Sequence, residues 1–172
     1  MRKNNLNIAI EKDILKNELQ EWFSVIRKHL SKNPLSVNDQ IELLNEIRKD
    51  IYEDLNQLQH KSAIILIAEE LQKEFPSITE WYWHPKQTSQ ENYADLTGIV
   101  NDEVFLNAEI TTSLNPVGTI DKRMKKTLES LNLKQGKKFY YVQTDKMMAR
   151  ALTKIKKNKE LKVEVRKYKT CP

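Results

Sequence analysis

The chain is poor in the residues that build disulfides, phosphate-binding loops and membrane spans. Cys171 is the single cysteine among 172 residues, so neither a disulfide nor a cysteine-based zinc site can form within the chain. The three glycines make no Gly-rich phosphate loop. The longest apolar run, from Ala63 to Ala68, is far too short to span a bilayer. We therefore expect a cytoplasmic protein without a membrane partner.

Histidine is also scarce. His29 and His60 lie in helical stretches without a metal-ligand companion nearby in the sequence, and we expect each at the surface or at a boundary. His84 follows an aromatic stretch and is expected at a turn, with contact to a phosphate or a base as the alternative. Three scattered histidines do not support a Ser/His/Asp triad.

Charge, in contrast, is abundant and unevenly distributed. The net charge is +5, but residues 121–172 contain 17 Lys/Arg against 5 Asp/Glu, a balance of +12. The first 120 residues have a balance of −7. A basic segment attracts polyanions through salt-sensitive contacts with phosphates. We predict a nucleic acid as partner, with the alternative that the lysines only cover helix and strand surfaces.

The first third of the chain has apolar residues at helical spacing. One amphipathic stripe runs through Leu15, Leu19, Trp22, Ile26 and Leu30, and Pro34 follows it. Ser36 can cap a second helix, whose stripe contains Val37, Ile41, Leu44, Ile51, Leu55 and Leu58. We predict a helical hairpin over residues 1–60, which packs on the rest of the protein, on a second copy as a homodimer, or on a partner protein. Residues 61–172 are predicted to form an α/β unit.

Two strands are predicted in the middle of the chain. Residues 93–100 and 104–111 alternate and are rich in β-branched and aromatic side chains. The short loop between them, residues 101–103, predicts a hairpin. If that loop centres on Asp102, Val100 pairs with Val104 and the two strands bring Asp95 opposite Glu109.

The predicted pairing of Asp95 with Glu109 requires a physical reason, because like charges that face each other across paired strands repel. A cation or a shared proton relieves the repulsion. Glu109 falls on the polar face of its strand, with Asn107 and Thr111. Hard oxygen ligands of this kind suit Mg²⁺ or Mn²⁺. The alternative is a solvent-exposed hairpin face whose carboxylates only keep it soluble.

The order of predicted elements from Ser62 onward is a helix, three strands, a helix, a strand, and then a helix and a strand. This order, with Asp95 on the second strand and Glu109-Ile110-Thr111 on the third, resembles the core of the PD-(D/E)XK nucleases, the restriction-endonuclease-like superfamily. The resemblance covers roughly residues 62–168. It implies an α/β fold in which helices flank a restriction-endonuclease-like mixed sheet, preceded here by the N-terminal helical hairpin.

The resemblance also implies site residues. Asp95 matches the metal-binding aspartate, Glu109 matches the second metal ligand, and Glu70 (or Glu69) matches the acid that some members place on the first core helix. Two positions depart from the pattern. Ala94 replaces a proline, and Thr111 replaces the lysine that helps to activate water or to steady the developing charge.

A threonine hydroxyl supplies no positive charge. We expect a relocated cation on the following helix, where Arg123 lies on the flank of the apolar face. Lys122, Lys125 and Lys126 lie mainly on its outer side. Together with Lys146 and Arg150, these three lysines are the residues expected to contact nucleic acid.

The sequence leaves three functions in competition. The first is a Mg²⁺- or Mn²⁺-dependent endonuclease or other phosphodiesterase that acts on DNA, or less readily on RNA. The second keeps the fold and loses the chemistry, so that the protein binds nucleic acid or serves as an assembly subunit. The third assigns the function to the N-terminal helices, as an element for dimerisation or partner binding.

Overall fold

The structure is a computed structural model, which describes residues 5–34, 36–85 and 94–169, without the side chains of Asp50, Ile51 and Glu53. The polar stretch from Pro85 to Asn92, whose composition predicts a loop, lies almost wholly outside the described residues. The elements, in chain order, are α1 (Ile8–Leu30), α2 (Val37–Glu74), β1 (Glu80–Trp83), β2 (Leu96–Val100), β3 (Glu103–Thr111), α3 (Thr119–Asn132), β4 (Lys137–Val142), α4 (Asp145–Lys157) and β5 (Glu164–Lys167).

The strands form one open, mixed sheet in the order β1-β2-β3-β4-β5. The first three strands pair antiparallel, as a meander. Strands β3, β4 and β5 run parallel, and α3 and α4 connect them in sequence. Parallel neighbours require such crossover connections, which a tight turn cannot provide. The mixed α/β class expected from the sequence is confirmed.

Two cores cover the two faces of the sheet. On one face, the second half of α2 buries Ile64, Ile67 and Leu71 against side chains of the central strands that include Leu106 and Phe139. On the other face, α3 and α4 pack on β4 and β5, and their core consists of Met124, Leu128, Leu131, Tyr140, Val142, Met147, Ala151, Leu161, Val163 and Val165. The polar face of β3 thus lies beneath a helical layer, and its Asn107 is buried. The alternative of a solvent-exposed hairpin face is therefore wrong.

A single long helix, α2, links the N-terminal hairpin to the sheet. A capping box between Ser36 and Asp39 starts it, and it ends at Glu74, shortly before Pro76. Its 38 residues make a helix about 57 Å long. The helix is continuous across residue 60, so the helical stretch predicted from Ser62 is an extension of the second helix.

α1 packs antiparallel on α2 and completes the hairpin. The Asn7 side chain accepts a hydrogen bond from the Ile10 amide and caps the start of α1. Lys61 of α2 donates to both carboxylate oxygens of Glu18, at 2.9 Å each. Across the described parts of the chain, we find no helix with the length and apolar character needed to cross a bilayer.

Candidate active site

The hairpin of β2 and β3 contains a turn and a bulge that the sequence did not reveal. Asn101 and Asp102 both have positive φ, 51° and 64°, as a two-residue hairpin turn requires. Val100 therefore pairs with Glu103, and the predicted pairing of Val100 with Val104 is wrong. A register shift between Gly98 and Ile99 then compensates for the shorter loop.

After that shift, the strands return to the register expected near the carboxylates. Leu96 pairs with Ala108, which sets Asp95 and Glu109 at the next position along the two strands. Asp95 itself lies just before β2 and not within it, which corrects the predicted strand of residues 93–100. The site is thus at the carboxyl end of β3, beside the parallel neighbour β4, a location where α/β sheets commonly bind ligands.

Asp95 is fixed by the neighbouring strand and by the long helix. Its Oδ2 atom accepts a hydrogen bond from the Ile110 amide at 2.7 Å and lies 3.3 Å from His60 Nε2. The backbone carbonyl of Asp95 accepts from the His84 amide at 2.9 Å. With 17% of its side chain exposed, Asp95 is held in one place but remains open to a ligand.

His60 was expected at the surface or a boundary, and this prediction is wrong: the residue is 1% exposed. The partners described for its ring are all acceptors. Nδ1 lies 3.3 Å from the carbonyl of Pro85, and Nε2 lies 3.3 Å from both Asp95 Oδ2 and the carbonyl of Ile110. A ring whose two nitrogens both face acceptors is best satisfied when both carry protons.

The electrostatics of His60 agree with that geometry. Burial of the ring opposes its charge, but the hydrogen bond to Asp95, the charge of Asp95 and the two carbonyl groups outweigh burial and raise the pKa of His60 above its ordinary value. The contact of His60 with Asp95 therefore favours the protonated form of the ring. His29, also expected at the surface or a boundary, is buried as well.

Glu109 is half-buried beside Tyr140, its parallel neighbour on β4. Burial, and then the negative charge of Asp95, raise the pKa of Glu109 to about 8, although Lys134 acts in the opposite direction. Without a cation, burial and the Asp95 carboxylate therefore favour the protonated form of the Glu109 carboxyl. A carboxyl group whose ionisation is opposed by burial and by a second carboxylate is typical of functional sites.

Thr111 contributes to the site through hydrogen bonds and not through charge. Burial and then the charge of Glu109 raise the pKa of the Tyr140 phenol. The hydrogen bond between the Thr111 hydroxyl and Tyr140 lowers this pKa, but by less. The Ser113 amide donates to Thr111 Oγ1 at 3.3 Å. Arg123 is exposed on α3 and also lowers the pKa of Tyr140, so its positive charge does reach this part of the site.

Lys134 is a cation of the site that sequence reasoning missed. It lies in the connection from α3 to β4, and its charge lowers the pKa of Glu109 and, after burial, that of His84. Gly136 shapes this connection: its φ is +72°, and a Cβ there would lie 2.4 Å from the carbonyl oxygen of Phe105. Only Gly136 signals the turn in the sequence, and it does not indicate where the Lys134 side chain points.

Glu70 is not brought to the carboxylate pair. It lies ten residues beyond His60 on α2, about 15 Å along the helix axis. Its carboxylate acts instead on Tyr141, whose pKa is raised to about 12 by burial first and in part by Glu70. Glu69 bonds Lys12 at 2.8 Å. Among the residues that the structure describes, no three His, Cys, Asp or Glu side chains converge as a metal-binding group.

The basic residues expected to contact nucleic acid fall into two groups. Lys122, Lys125, Lys126 and Lys146 are exposed, as the helical spacing predicted for the three on α3. Lys125 also lies 3.7 Å from Glu129, one turn along the helix. Arg150 is engaged elsewhere, because its Nε and Nη2 atoms bond both carboxylate oxygens of Asp121 at 2.7 and 3.0 Å. A phosphate would have to displace that pair to reach Arg150.

Comparison of the chain with known protein families, with curated proteins and with solved structures finds no match.

Proposed function

We propose that the protein is a metal-dependent phosphodiesterase that cleaves DNA, with RNA as the second substrate class. The observation that carries the proposal is the carboxylate pair: Asp95 is fixed and open to a ligand, and its charge helps to raise the pKa of Glu109 to about 8. A divalent cation relieves that repulsion. We further propose a restriction-endonuclease-like arrangement of the sheet. The antiparallel meander β1-β2-β3, followed by the parallel strand β4, supports this proposal.

The donor set of the site fits Mg²⁺ or Mn²⁺. Magnesium is commonly bound through one or two carboxylates, together with water and substrate phosphates, so a third acidic residue is not required. Asp95 and Glu109 would hold the ion, and Glu70 is too far along α2 to take part. When bound, the ion polarises the scissile phosphate and lowers the pKa of a coordinated water.

The other residues of the site position these groups and balance their charge. The Ile110 amide and the His60 ring orient the Asp95 carboxylate. Lys134, which already acts on Glu109, takes the place of the motif lysine that Thr111 cannot replace. Its positive charge offsets the charge that develops on the phosphate during cleavage, as preorganised cations do in phosphoryl transfer. Arg123 adds a second positive charge from the side of Tyr140.

The exposed lysines of α3 and α4 bind the phosphates of the nucleic acid and hold it at the site. Contacts from lysine to phosphate fix the position of a nucleic acid without reading its sequence. Lys122, Lys125, Lys126 and Lys146 are exposed and belong to the segment with a charge balance of +12.

A cleavage assay on linear, circular and single-stranded DNA and on RNA tests the proposal. It is run with Mg²⁺ or Mn²⁺ and with EDTA as the control. We expect cleavage that requires the metal and is abolished in Glu109→Ala. Glu103→Ala is the matched control, because Glu103 is an exposed carboxylate on the same strand. Cleavage that survives Glu109→Ala would refute the assignment.

A second candidate function follows from Thr111, whose hydroxyl bonds Tyr140 and brings no charge. In this alternative the protein binds nucleic acid, or serves as an assembly subunit, and does not cleave. The same experiment separates the two: salt-sensitive DNA binding without metal-dependent cleavage, in the wild type and in Glu109→Ala alike, would favour the binding protein.

A further inference from the structure

The N-terminal hairpin exposes large apolar side chains that a closed core would cover. They include Phe23 (56% exposed), Leu30 (66%), Val37 (70%), Ile41 (52%), Leu44 (65%) and Leu55 (40%). At 100° per residue, the first two lie about 20° apart around α1, and the other four fall within about 60° around α2. These six residues therefore form an exposed apolar stripe on each helix, whereas Ile10 (56%) and Ile14 (40%) are exposed on the other side of α1. Contiguous exposed apolar surface of this kind marks interaction sites.

The two stripes lie on the same side of the hairpin. Lys61 of α2 contacts Glu18 of α1 at 2.9 Å and marks the side on which the two helices meet. Each stripe is rotated by about 100–160°, in the same sense, from Glu18 on α1 or from Lys61 on α2. Because the helices are antiparallel, equal rotations bring both stripes to one side. We call this surface the hairpin face and define it by the six exposed apolar residues named above.

A groove continues the hairpin face toward the sheet. It has a volume of about 340 Å³ and its lining includes Leu19 and Phe23 from α1 and Ile65 and Leu66 from α2. A concave apolar groove between two helices accepts anchoring side chains from a third helix. A bilayer surface does not fill such a concavity, because interfacial helices insert a convex apolar face into lipid.

The charges on this side of the hairpin are mainly basic. Arg27 and Arg48 are exposed among the apolar residues of the hairpin face, and Lys16 lines the groove. Within the described part of the chain, these three side chains form no ion pair. The Glu69 carboxylate on the same side is already neutralised by Lys12, at 2.8 Å. Two copies that met through this face would bring like charges together, which disfavours a homodimer.

We propose that the hairpin face binds an acidic amphipathic helix of another protein. Apolar side chains at successive turns of that helix would enter the groove and cover Phe23 and Leu55. Its flanking glutamates or aspartates would pair with Arg27 and Arg48. This interaction is separate from the carboxylate site.

Binding of two labelled helical peptides to the full-length protein, followed by fluorescence anisotropy, tests the proposal. The peptides share apolar anchors at i, i+4, i+7 and i+11 and differ only in flanking residues, which are Glu in one and Lys in the other. We expect the Glu peptide to bind at least about tenfold more tightly, because opposite charges complement the face. Equal binding of both peptides, or binding of neither, would overturn the proposal.

Variants locate the interaction. Phe23→Glu and Leu55→Glu should each weaken binding of the Glu peptide by at least about tenfold, as loss of a buried anchor does. Ile10→Glu is the matched control: Ile10 is also 56% exposed, but it lies about 140° away from Phe23 around α1. Its binding should equal that of the wild type. An equal loss in Ile10→Glu would show that the hairpin face is not the site.

Two further measurements exclude the other occupants. In sedimentation experiments, any self-association of the wild type should remain in Phe23→Glu. Vesicles of phosphatidylglycerol should bind the protein more weakly than the Glu peptide does. A dimer that is lost in Phe23→Glu would replace the partner helix by a second copy. Preferential vesicle binding that is lost in the same variant would replace it by an anionic lipid surface. Either result would refute the proposal.

Discussion

The two halves of α2 have similar apolar spacing and opposite surroundings. In the second half, Ile64, Ile67 and Leu71 are fully buried against the sheet. In the first half, Val37 is 70% exposed and Leu44 is 65% exposed. One continuous helix thus passes from a packed core into a hairpin with an uncovered apolar side. Helical periodicity therefore indicates which residues share a side of the helix, but not what covers that side.

The junction between the halves carries the residue that links the helix to the candidate site. His60 is the buried partner of Asp95, and it lies next to Lys61, which holds α1 through Glu18. The buried half of α2 therefore belongs with the carboxylates and the proposed cleavage of nucleic acid. The exposed half belongs with the proposed helix-binding surface. The following predictions test this division.

The largest expected effect is on stability in the buried half. Ile67→Ala removes a fully buried side chain and should lower the free energy of unfolding by about 2–5 kcal/mol. Leu44→Ala, in the exposed half, should change it by no more than about 0.5 kcal/mol. Urea denaturation measures both. Similar losses in the two variants would mean that the first half of α2 is covered in solution, and the comparison between the halves would fail.

At the junction we expect a smaller loss. His60→Gln can retain only part of the hydrogen bonding to Asp95, Pro85 and Ile110, so the free energy of unfolding should fall by about 1–3 kcal/mol. Gln59→Ala, at the exposed neighbouring position, is the control and should fall within about 0.5 kcal/mol of the wild type. If the two variants are equally stable, His60 does not anchor the site.

The pH dependence of stability should report the Glu109 carboxyl. Its pKa is raised from 4.5 to about 8 on folding, so the folded protein binds a proton that the unfolded chain has released between these values. In EDTA, this group should lower the free energy of unfolding progressively from about pH 4.5 to pH 8. The raised pKa of His60 acts in the same direction, since its contribution is present below 6.5 and is lost as the pH rises through its folded pKa.

Glu109→Gln isolates the contribution of the carboxyl group. The variant should be more stable than the wild type at pH 8.5 and no more stable at pH 4, because the amide removes the cost of a buried charge. Thermal denaturation at the two pH values makes the comparison. An advantage of Glu109→Gln that does not change with pH would contradict the raised pKa.

The smallest expected effects concern binding of nucleic acid. Alanine at Lys122, Lys125 and Lys126 should weaken DNA binding without regard to sequence. Each phosphate that is no longer neutralised by a lysine should reduce the slope of log affinity against log salt by about one. Phe23→Glu should leave DNA binding unchanged, because the hairpin face is separate from the lysines of α3. Equal weakening by Phe23→Glu would mean that the hairpin also binds DNA.

Part of the fold and of the candidate site can be predicted from the sequence. Alternation in residues 96–111 was sufficient to predict paired strands, since a half-covered strand repeats every two residues. The predicted alignment of Asp95 with Glu109 is correct, but the turn assumed for it is not. The turn is one residue shorter than expected, and the bulge beside Gly98 restores the alignment. A sequence contains no direct signal for such a compensation.

The remaining site residues depend on contacts that are distant in sequence. His60 lies 35 residues before Asp95, and a histidine within a helix has no local pattern that distinguishes a buried ion pair from a surface position. Lys134 acts on the pKa of Glu109 from the connection in which Gly136, with a φ of +72°, turns the chain against β3. Glu70 was expected near the pair by resemblance alone, but the length of α2 carries it away.

Binding of Mn²⁺ by isothermal titration calorimetry, at pH 7.5 and without nucleic acid, tests the central claim most directly. We predict that the wild type and Glu103→Gln bind Mn²⁺ and release protons on binding, because the ion displaces the proton held by Glu109. Glu109→Gln should lose both the binding and the proton release. Equal Mn²⁺ binding by the wild type and Glu109→Gln, or no binding by the wild type, would contradict the assignment of Asp95 and Glu109 as a metal site.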